Sequence, residues 1–434
     1  MTPHTCIRVL ALFVAVLATS CSSQRGDKAE ESAPVAAAPF MQGLCRVGVY
    51  GTSSRFVVIT RRNNTFRYSM NDGRLGRIED TGPIECGNDS IRLQQTTILP
   101  RQTLAVTNTR FESDGVTLAG QLIEPVDASP ASTLIVLAHG SEERGWIEDS
   151  RYPYHFVARG VSVFVYDKRG TGKSGGAYSQ NFPELADDLV AAAAEAKRIA
   201  EARYSRFGLF GFSQGGWIAP LAAARSDADF IGISYGLVVD ILEEDAAQVE
   251  LELIEAGYDK AILSKANQIT DITARLAVSH YQDGLDDLAA VQSLYGDEPW
   301  FSAIRGGFTG VLLGMSPDKL REEGVPMFDR LNIDWSIKPM NVLRTVNVPQ
   351  LWVLAEADRE APVTKTLSRL QTLRREGKDI TIVMYPNTDH GMREFMQSAD
   401  GTRQYTRITD TYYDLIADWA NGRLEQQYGT SVDR

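Results

Sequence analysis

From residue 132 onward, short and almost wholly apolar segments alternate with longer amphipathic ones. The apolar segments are STLIVLAHG (132–140), VSVFVY (161–166), RFGLF (206–210), FIGISY (230–235), PQLWVLA (349–355) and DITIVMY (379–385). A strand with one face in water alternates polar and apolar residues, whereas one apolar on both faces must be covered on both. Helices between successive strands supply that cover, so the pattern predicts a mostly parallel, doubly wound α/β sheet. The helices are expected at 151–159, 183–203, 214–225, 363–375 and near 404–423. The second is the clearest, with Pro183 suited to a first helical position and ELADDLVAAAAEAKRIAEA (184–202) rich in helix formers. Pro220, inside the third, should kink that helix or end it early.

Between about 238 and 340 the alternation is interrupted. The interruption opens with DILEEDAAQVELELIEAGYDKAILSKANQ (240–268), an acidic helical stretch whose glutamates read as a solvated face. An insertion of this size after a strand's carboxyl end lies over the ligand-binding edge of such a sheet and reads as a lid. Residues 41–104 have a different rhythm: RVGVY, RFVVIT, TFRYSM and IRLQQTTIL are short and β-like. Asn63-Asn64 and Asn71-Asp72-Gly73 suit tight hairpins between them, so a small β-meander domain is expected ahead of a larger one at 105–434.

The first 21 residues read as a leader, with Arg8 ahead of the apolar VLALFVAVLA (9–18), which is short for a membrane span. Ala18-Thr19-Ser20-Cys21 resembles a bacterial lipobox, which implies a lipidated Cys21 as the mature N-terminus. Ordinary cleavage after Ser20 or near Ala36–Ala38 is the alternative. With Ser22 next, the lipoprotein sorting rule points to the periplasmic side of the outer membrane, and the polar and Ala/Pro-rich residues 22–40 form a tether. Cys6 leaves with the leader and Cys21 is consumed, so Cys45 and Cys86 remain as a disulfide pair in an exported protein. A net charge of −12 argues against nucleic acid and against loose attachment to an anionic membrane, leaving the lipid anchor as the expected membrane contact.

The chemistry centres on GLFGFSQGGWIAP (208–220). Gly211-Phe212-Ser213-Gln214-Gly215 fits G-x-S-x-G, in which a sharp strand-to-helix turn exposes a serine hydroxyl and the glycines avoid collisions. A serine needs a base to become a nucleophile, and the base needs an acid to orient it. Of five histidines, His4 lies in the leader, His139 precedes the serine, His155 lies on an earlier helix and His280 lies in the lid. His390, in YPNTDHGM, follows a late strand and is the candidate base. Asp358, in LAEADREAP, follows another and is the candidate acid, with Glu356 and Glu360 its competitors. All three loops leave the carboxyl ends of parallel strands, where they can converge. Gln214, at the start of the elbow helix, would offer its backbone N–H to a developing oxyanion.

VFVYDKRGTGKSGG (163–176) suggests nucleotide binding instead, because Gly170, Gly172 and Gly175 spell G-x-G-x-x-G. The Walker pattern fails because Asp167 stands where it needs glycine. The dinucleotide pattern fails because no helix begins until near Pro183. No H-E-x-x-H or paired Cys-x-x-Cys motif occurs, so neither a cofactor nor a metal is expected.

Together, His139-Gly140-Ser141, Tyr166-Asp167-x-Arg169-Gly170-x-Gly172-x-Ser174, the serine elbow, Asp358 and Asp389-His390-Gly391 resemble the α/β-hydrolase superfamily across residues 105–434. The helical insertion resembles its branch of bacterial esterases and serine aminopeptidase-like proteins. The resemblance implies an α/β-hydrolase fold with a helical lid and a Ser213–His390–Asp358 triad. It implies an oxyanion hole from the Ser141 and Gln214 amides, with Glu142 one position away as the alternative to Ser141. His139 then orders the loop, and Asp167 and Arg169 brace their neighbours. The implied activity is hydrolysis of carboxylic esters through an acyl-enzyme. The alternatives are a serine peptidase of aminopeptidase or acyl-peptidase type and, in another class, a lipoprotein that only binds. One departure is Glu142-Glu143-Arg144, where many relatives have Gly-Pro.

Overall fold

The computed structural model describes residues 45–433 except 80, 81, 129, 130, 400, 425 and 426. The expected leader, Cys21 and the tether lie outside the described residues. No helix among the described residues is long and apolar enough to cross a membrane.

The apolar segments form one nine-stranded sheet. Its strands are β1 Leu104–Ser113, β2 Val116–Pro125, β3 Thr133–Ala138, β4 Val161–Tyr166 and β5 Arg206–Phe212. They continue as β6 Phe230–Ser234, β7 Gln350–Ala355, β8 Ile380–Tyr385 and β9 Val432–Asp433. The spatial order is β9-β8-β7-β6-β5-β3-β4-β2-β1. Strands β3 to β8 run parallel, while β1, β2 and β9 add antiparallel edges. This is the expected α/β-hydrolase fold. The chain leaves β3 for β4 on one side and returns to β5 on the other. The order therefore reverses between β3 and β5, and a ligand crevice opens at such a point.

Strand β3 shows why these runs are apolar throughout. Leu134, Val136 and Ala138 face one core with helices α2 Phe182–Ala200 and α3 Gly215–Ala223. Ile135 and Leu137 face the other with helix α1 Tyr152–Val157 and the C-terminal helix Tyr412–Ala420. All five are fully buried, each larger one contributing about 1.5–3 kcal/mol.

Two expectations about helices need correction. Pro220 does not stop helix α3 where it stands: the helix runs on to Ala223. The last helix starts at Tyr412, not near 404, because Arg403–Ile408 is a strand paired with Arg393–Gln397. Tyr405, Thr406 and Ile408 favour a strand, and Thr411, at φ 57°, breaks the chain before the helix. The lid is helical as expected, with α4 Ile241–Glu255 followed by Lys260–Val278 and Leu285–Tyr295.

The β-rich N-terminal region holds a four-stranded antiparallel meander of Gly48–Thr52, Arg55–Arg62, Thr65–Met70 and Leu75–Arg77. Asn63 and Asn64 both take positive φ in its tight turn. Its inner residues Val49, Phe56 and Val58 share a core with α1 and the large sheet. Ser69 Oγ lies 2.8 Å from Nε2 of the buried His155, whose ring stacks on Tyr413 at 3.9 Å. A second, three-stranded sheet follows, and Cys86 on its first strand is bonded to Cys45 across a separation of 41 residues. By chain entropy, closing such a loop contributes about 3–4 kcal/mol. A Cys45→Ser/Cys86→Ser variant should therefore unfold at a clearly lower urea concentration. An unchanged midpoint would show that the bond adds no order beyond that of the surrounding packing.

Candidate active site

Strands β3 and β5 pair in parallel with Ala138 opposite Gly211, so the loops after them emerge side by side. Space is short at this turn. A Cβ on Gly211 would lie 2.1 Å from the Gly215 carbonyl oxygen, and one on Gly215 would lie 2.7 Å from that of Ala138. Ser213 sits between them at φ 52°, a strained conformation for a side-chain-bearing residue. Its backbone N–H donates to Ser234 O at 3.0 Å, fixing the turn against β6.

The three side chains singled out from the sequence meet here. Ser213 Oγ lies 3.1 Å from His390 Nε2. On the ring's other side, Nδ1 lies 3.1 and 3.0 Å from the two oxygens of Asp358. Asp358 is buried, and its Oδ1 also accepts from the N–H groups of Glu360 and Ala361 at 2.9 and 2.7 Å. The competitors do not take that position. Glu356 is exposed, and Glu360 approaches the opposite nitrogen, Nε2, at 3.6 Å.

The histidine loop is held by Asp389. Its Oδ1 accepts from the N–H of His390 at 2.7 Å and of Arg359 at 3.0 Å, joining the histidine loop to the aspartate loop. Its Oδ2 accepts from Tyr405 Oη and pairs with Arg403, each at 2.7 Å. Both partners lie on the strand that replaces the expected start of the last helix. Burial opposes ionisation of Asp389, but these partners hold its pKa below the usual carboxylate range.

Ser141 and Gln214 line the same cavity as Ser213 and His390, a space of about 390 Å³. Gln214 immediately precedes α3, at the positive end of the helix dipole. Glu142 does not line that cavity, and its carboxylate accepts from the indole N–H of Trp146 and from its own backbone N–H. His139 is buried, donates from Nε2 to Tyr166 O and stacks on Trp146 at 4.3 Å. Burial pushes its pKa down to about 3, so it stays neutral.

The glycine-rich loop serves packing. Asp167 accepts from the N–H groups of Trp146, Ile147 and Lys173 at 2.7–2.9 Å. A Cβ on Gly172 would fall 2.2 Å from its Oδ2. Arg169 pairs with Asp188 and Glu184, and Lys173 is exposed.

Much of the cavity wall comes from the lid and its neighbours: Phe182, Trp217, Ile241, Phe308, Phe328 and Trp335 are apolar, Gln180 and Gln248 are polar, and Glu244, Asp245 and Glu360 are acidic. The solvated-face reading therefore fails at Glu244, because α4 turns that residue toward His390. Burial raises its pKa to about 8, with His390 acting against the rise and Asp245 and Asp358 adding to it. Asp245, beside it, is used up by the N–H groups of Phe308 and Thr309 and by the Thr309 hydroxyl. Sequence reasoning also passed over Lys168 and Tyr178, which grip the loop after β3. Lys168 was the unassigned position in Tyr166-Asp167-x-Arg169, and that gap was its only signal.

Two stretches of the chain match family models. Residues 129–235 match the family described as Serine aminopeptidase, S33, and residues 324–414 match the Prolyl oligopeptidase family. No curated protein sequence matches the chain. Among solved structures, an esterase from Pyrococcus furiosus is 15% identical, with 66% of this chain and 84% of that one covered at a TM-score of 0.42. An acylaminoacyl peptidase from Pyrococcus horikoshii is 16% identical, with 80% of this chain but only 46% of that one covered, at 0.42. Brefeldin A esterase, a bacterial homologue of human hormone-sensitive lipase, is 16% identical, with 67% and 70% covered at 0.41.

Burial opposes protonation of His390, but the Asp358 carboxylate, with Glu360 and Glu244 adding to it, outweighs burial and raises the pKa to about 9. Titration followed by NMR should give a midpoint near that value, moved down by Glu360→Gln and further by Asp358→Asn. A wild-type midpoint near 6.5 would show that burial cancels the pull of the Asp358 carboxylate.

Proposed function

We propose that this chain, an α/β-hydrolase of the branch that holds esterases and serine peptidases, cleaves carboxylic esters through an acyl-enzyme. The observation that carries this reading is the line Ser213 Oγ–His390–Asp358 at 3.0–3.1 Å, opening into a cavity with aromatic, aliphatic and acidic walls. His390 Nε2 takes the proton of Ser213 as Oγ bonds to the acyl carbon, and Asp358 holds the ring and balances its charge. The amides of Ser141 and Gln214 receive the oxyanion, each donor typically worth about 3–4 kcal/mol. His390 then passes its proton to the departing alcohol. Water, deprotonated by the same nitrogen, releases the acid and restores Ser213.

A second reading, peptide cleavage with the same residues, draws support from Glu244 and Glu360. A carboxyl in the cavity wall near the nucleophile suits the free ammonium of a peptide, and that cation would draw Glu244 into its ionised form. The aromatic and aliphatic wall favours an uncharged acyl or alcohol group and supports the ester reading.

Ser213→Ala should abolish labelling by a fluorophosphonate probe together with turnover of p-nitrophenyl esters. Labelling that persists in the variant would sink the assignment, and a wild-type protein that never labels would favour a binding role. Acyl esters tested beside aminoacyl and N-acyl-peptidyl amides separate the readings: amide turnover that exceeds ester turnover and falls in Glu244→Gln would favour the peptidase.

We also propose export with a lipid anchor on Cys21, a reading supported by the lipobox-like leader and the Cys45–Cys86 bond. Metabolic palmitate labelling should mark the wild type in a bacterial host and not Cys21→Ser. An unlabelled wild type would leave simple cleavage as the explanation.

A further inference from the structure

Lys168 is the strangest group near the site. It is 2% exposed, yet it belongs to a residue type that almost never gives up water without a carboxylate partner. Its ammonium donates to the Gly140 carbonyl at 2.7 Å and lies 4.9 Å from the ring centroid of Tyr178. Burial lowers its pKa to about 8, with Glu142 and Glu143 opposing and Arg144 reinforcing the drop, so it remains mostly charged at pH 7. Tyr178 in turn donates its hydroxyl to the Ser141 carbonyl and accepts from Gln180 Nε2 at 2.9 Å.

The two carbonyls belong to consecutive peptides of the loop after β3. In a trans peptide, the carbonyl of one residue and the N–H of the next point in opposite directions. Whatever holds Gly140 O therefore also aims the Ser141 N–H the other way. Gly140 lies against the nucleophile, since a Cβ on it would lie 3.6 Å from Ser213 Cβ, and Ser141 lines the same cavity as Ser213. Holding Ser141 O fixes the following peptide, so the loop cannot swing by rotating about Ser141. A cation on a carbonyl also polarises the peptide and strengthens its N–H as a donor.

We infer that Lys168, seconded by Tyr178, is a positioning residue that sets the Ser141 amide as an oxyanion donor. The inference rests on the serine hydrolase reading above. It also explains a buried, desolvated cation that the packing alone does not require, because a methionine fills a similar volume without that cost.

The test compares Lys168→Met, which keeps the stem without the donor, with Lys168→Gln, which keeps a neutral donor. On a p-nitrophenyl ester, Lys168→Met should lose about 10- to 100-fold in kcat with KM within about twofold, as expected for a misaimed oxyanion donor. Lys168→Gln should fall between it and the wild type. A trifluoromethyl ketone, whose hemiketal anion occupies the oxyanion site, should weaken by the same factor, while the matching carbinol should bind as before. Unchanged kcat, or equal weakening of ketone and carbinol, overturns the inference, the latter because loss of structure would act on both. If Lys168→Met does not fold, Tyr178→Phe removes only a hydroxyl at a half-buried position and is read the same way, with a loss of a few-fold in kcat. A wild-type protein that neither labels at Ser213 nor turns over esters overturns the hydrolase reading and this inference with it. Normal labelling with unaltered Lys168→Met kinetics overturns this inference alone.

Discussion

The site hangs on the parallel pairing of β3 with β5, where Ala138 faces Gly211. Two residues beyond this pair stand Gly140 and Ser213, so the register itself brings the loop after β3 beside the serine. The pairing tolerates little change. The Gly215 and Ala138 carbonyls fill the space where side chains on Gly211 and Gly215 would project. A one-residue slip would also exchange the two buried faces of a strand apolar on both. Packing and site geometry are therefore one constraint here: the core that buries Leu134 and Ile135 also sets where the chain turns.

Much of this was legible in the chain because it depends on local chemistry. Ser213, Asp358 and His390 each follow an apolar strand, and parallel strands deliver their next loops to a common edge. The glycine-rich loop was legible by elimination, since it fails both phosphate-binding patterns, and its Gly172 makes room for Asp167. What stayed hidden depends on tertiary placement. Arg403–Ile408 has enough alternating aromatic and β-branched character to be a strand, but it needs Arg393–Gln397 beside it to become one. Without that strand, the Tyr405 and Arg403 contacts that tie down Asp389 have no sequence signature. Glu244 looks like its neighbours on α4, and only the rotation of that helix over the sheet separates a cavity residue from solvated ones. Lys168 was hidden because burial of a lysine runs against every compositional expectation.

The charges around His390 pull in different directions. Asp358 aligns and strengthens the base, and Glu360 adds negative potential that favours the protonated ring, joined by Glu244 only once that buried carboxyl ionises. A stronger base is less often free at neutral pH, so the lid that walls the cavity also sets a trade between basicity and availability. Any ligand that brings a positive charge against Glu244 would relax that trade by competing for the same field.

The N-terminal meander bears on how such a protein can be divided. Phe56 and Val58 fill the same core as Phe156 and Val163, and Ser69 satisfies the ring of His155, which has no water to turn to. Cutting the chain near residue 104 would leave a hydrolase fragment with an uncovered apolar face and an orphaned imidazole beneath it. The boundary that composition draws along the sequence therefore differs from the boundary along which the molecule could be taken apart.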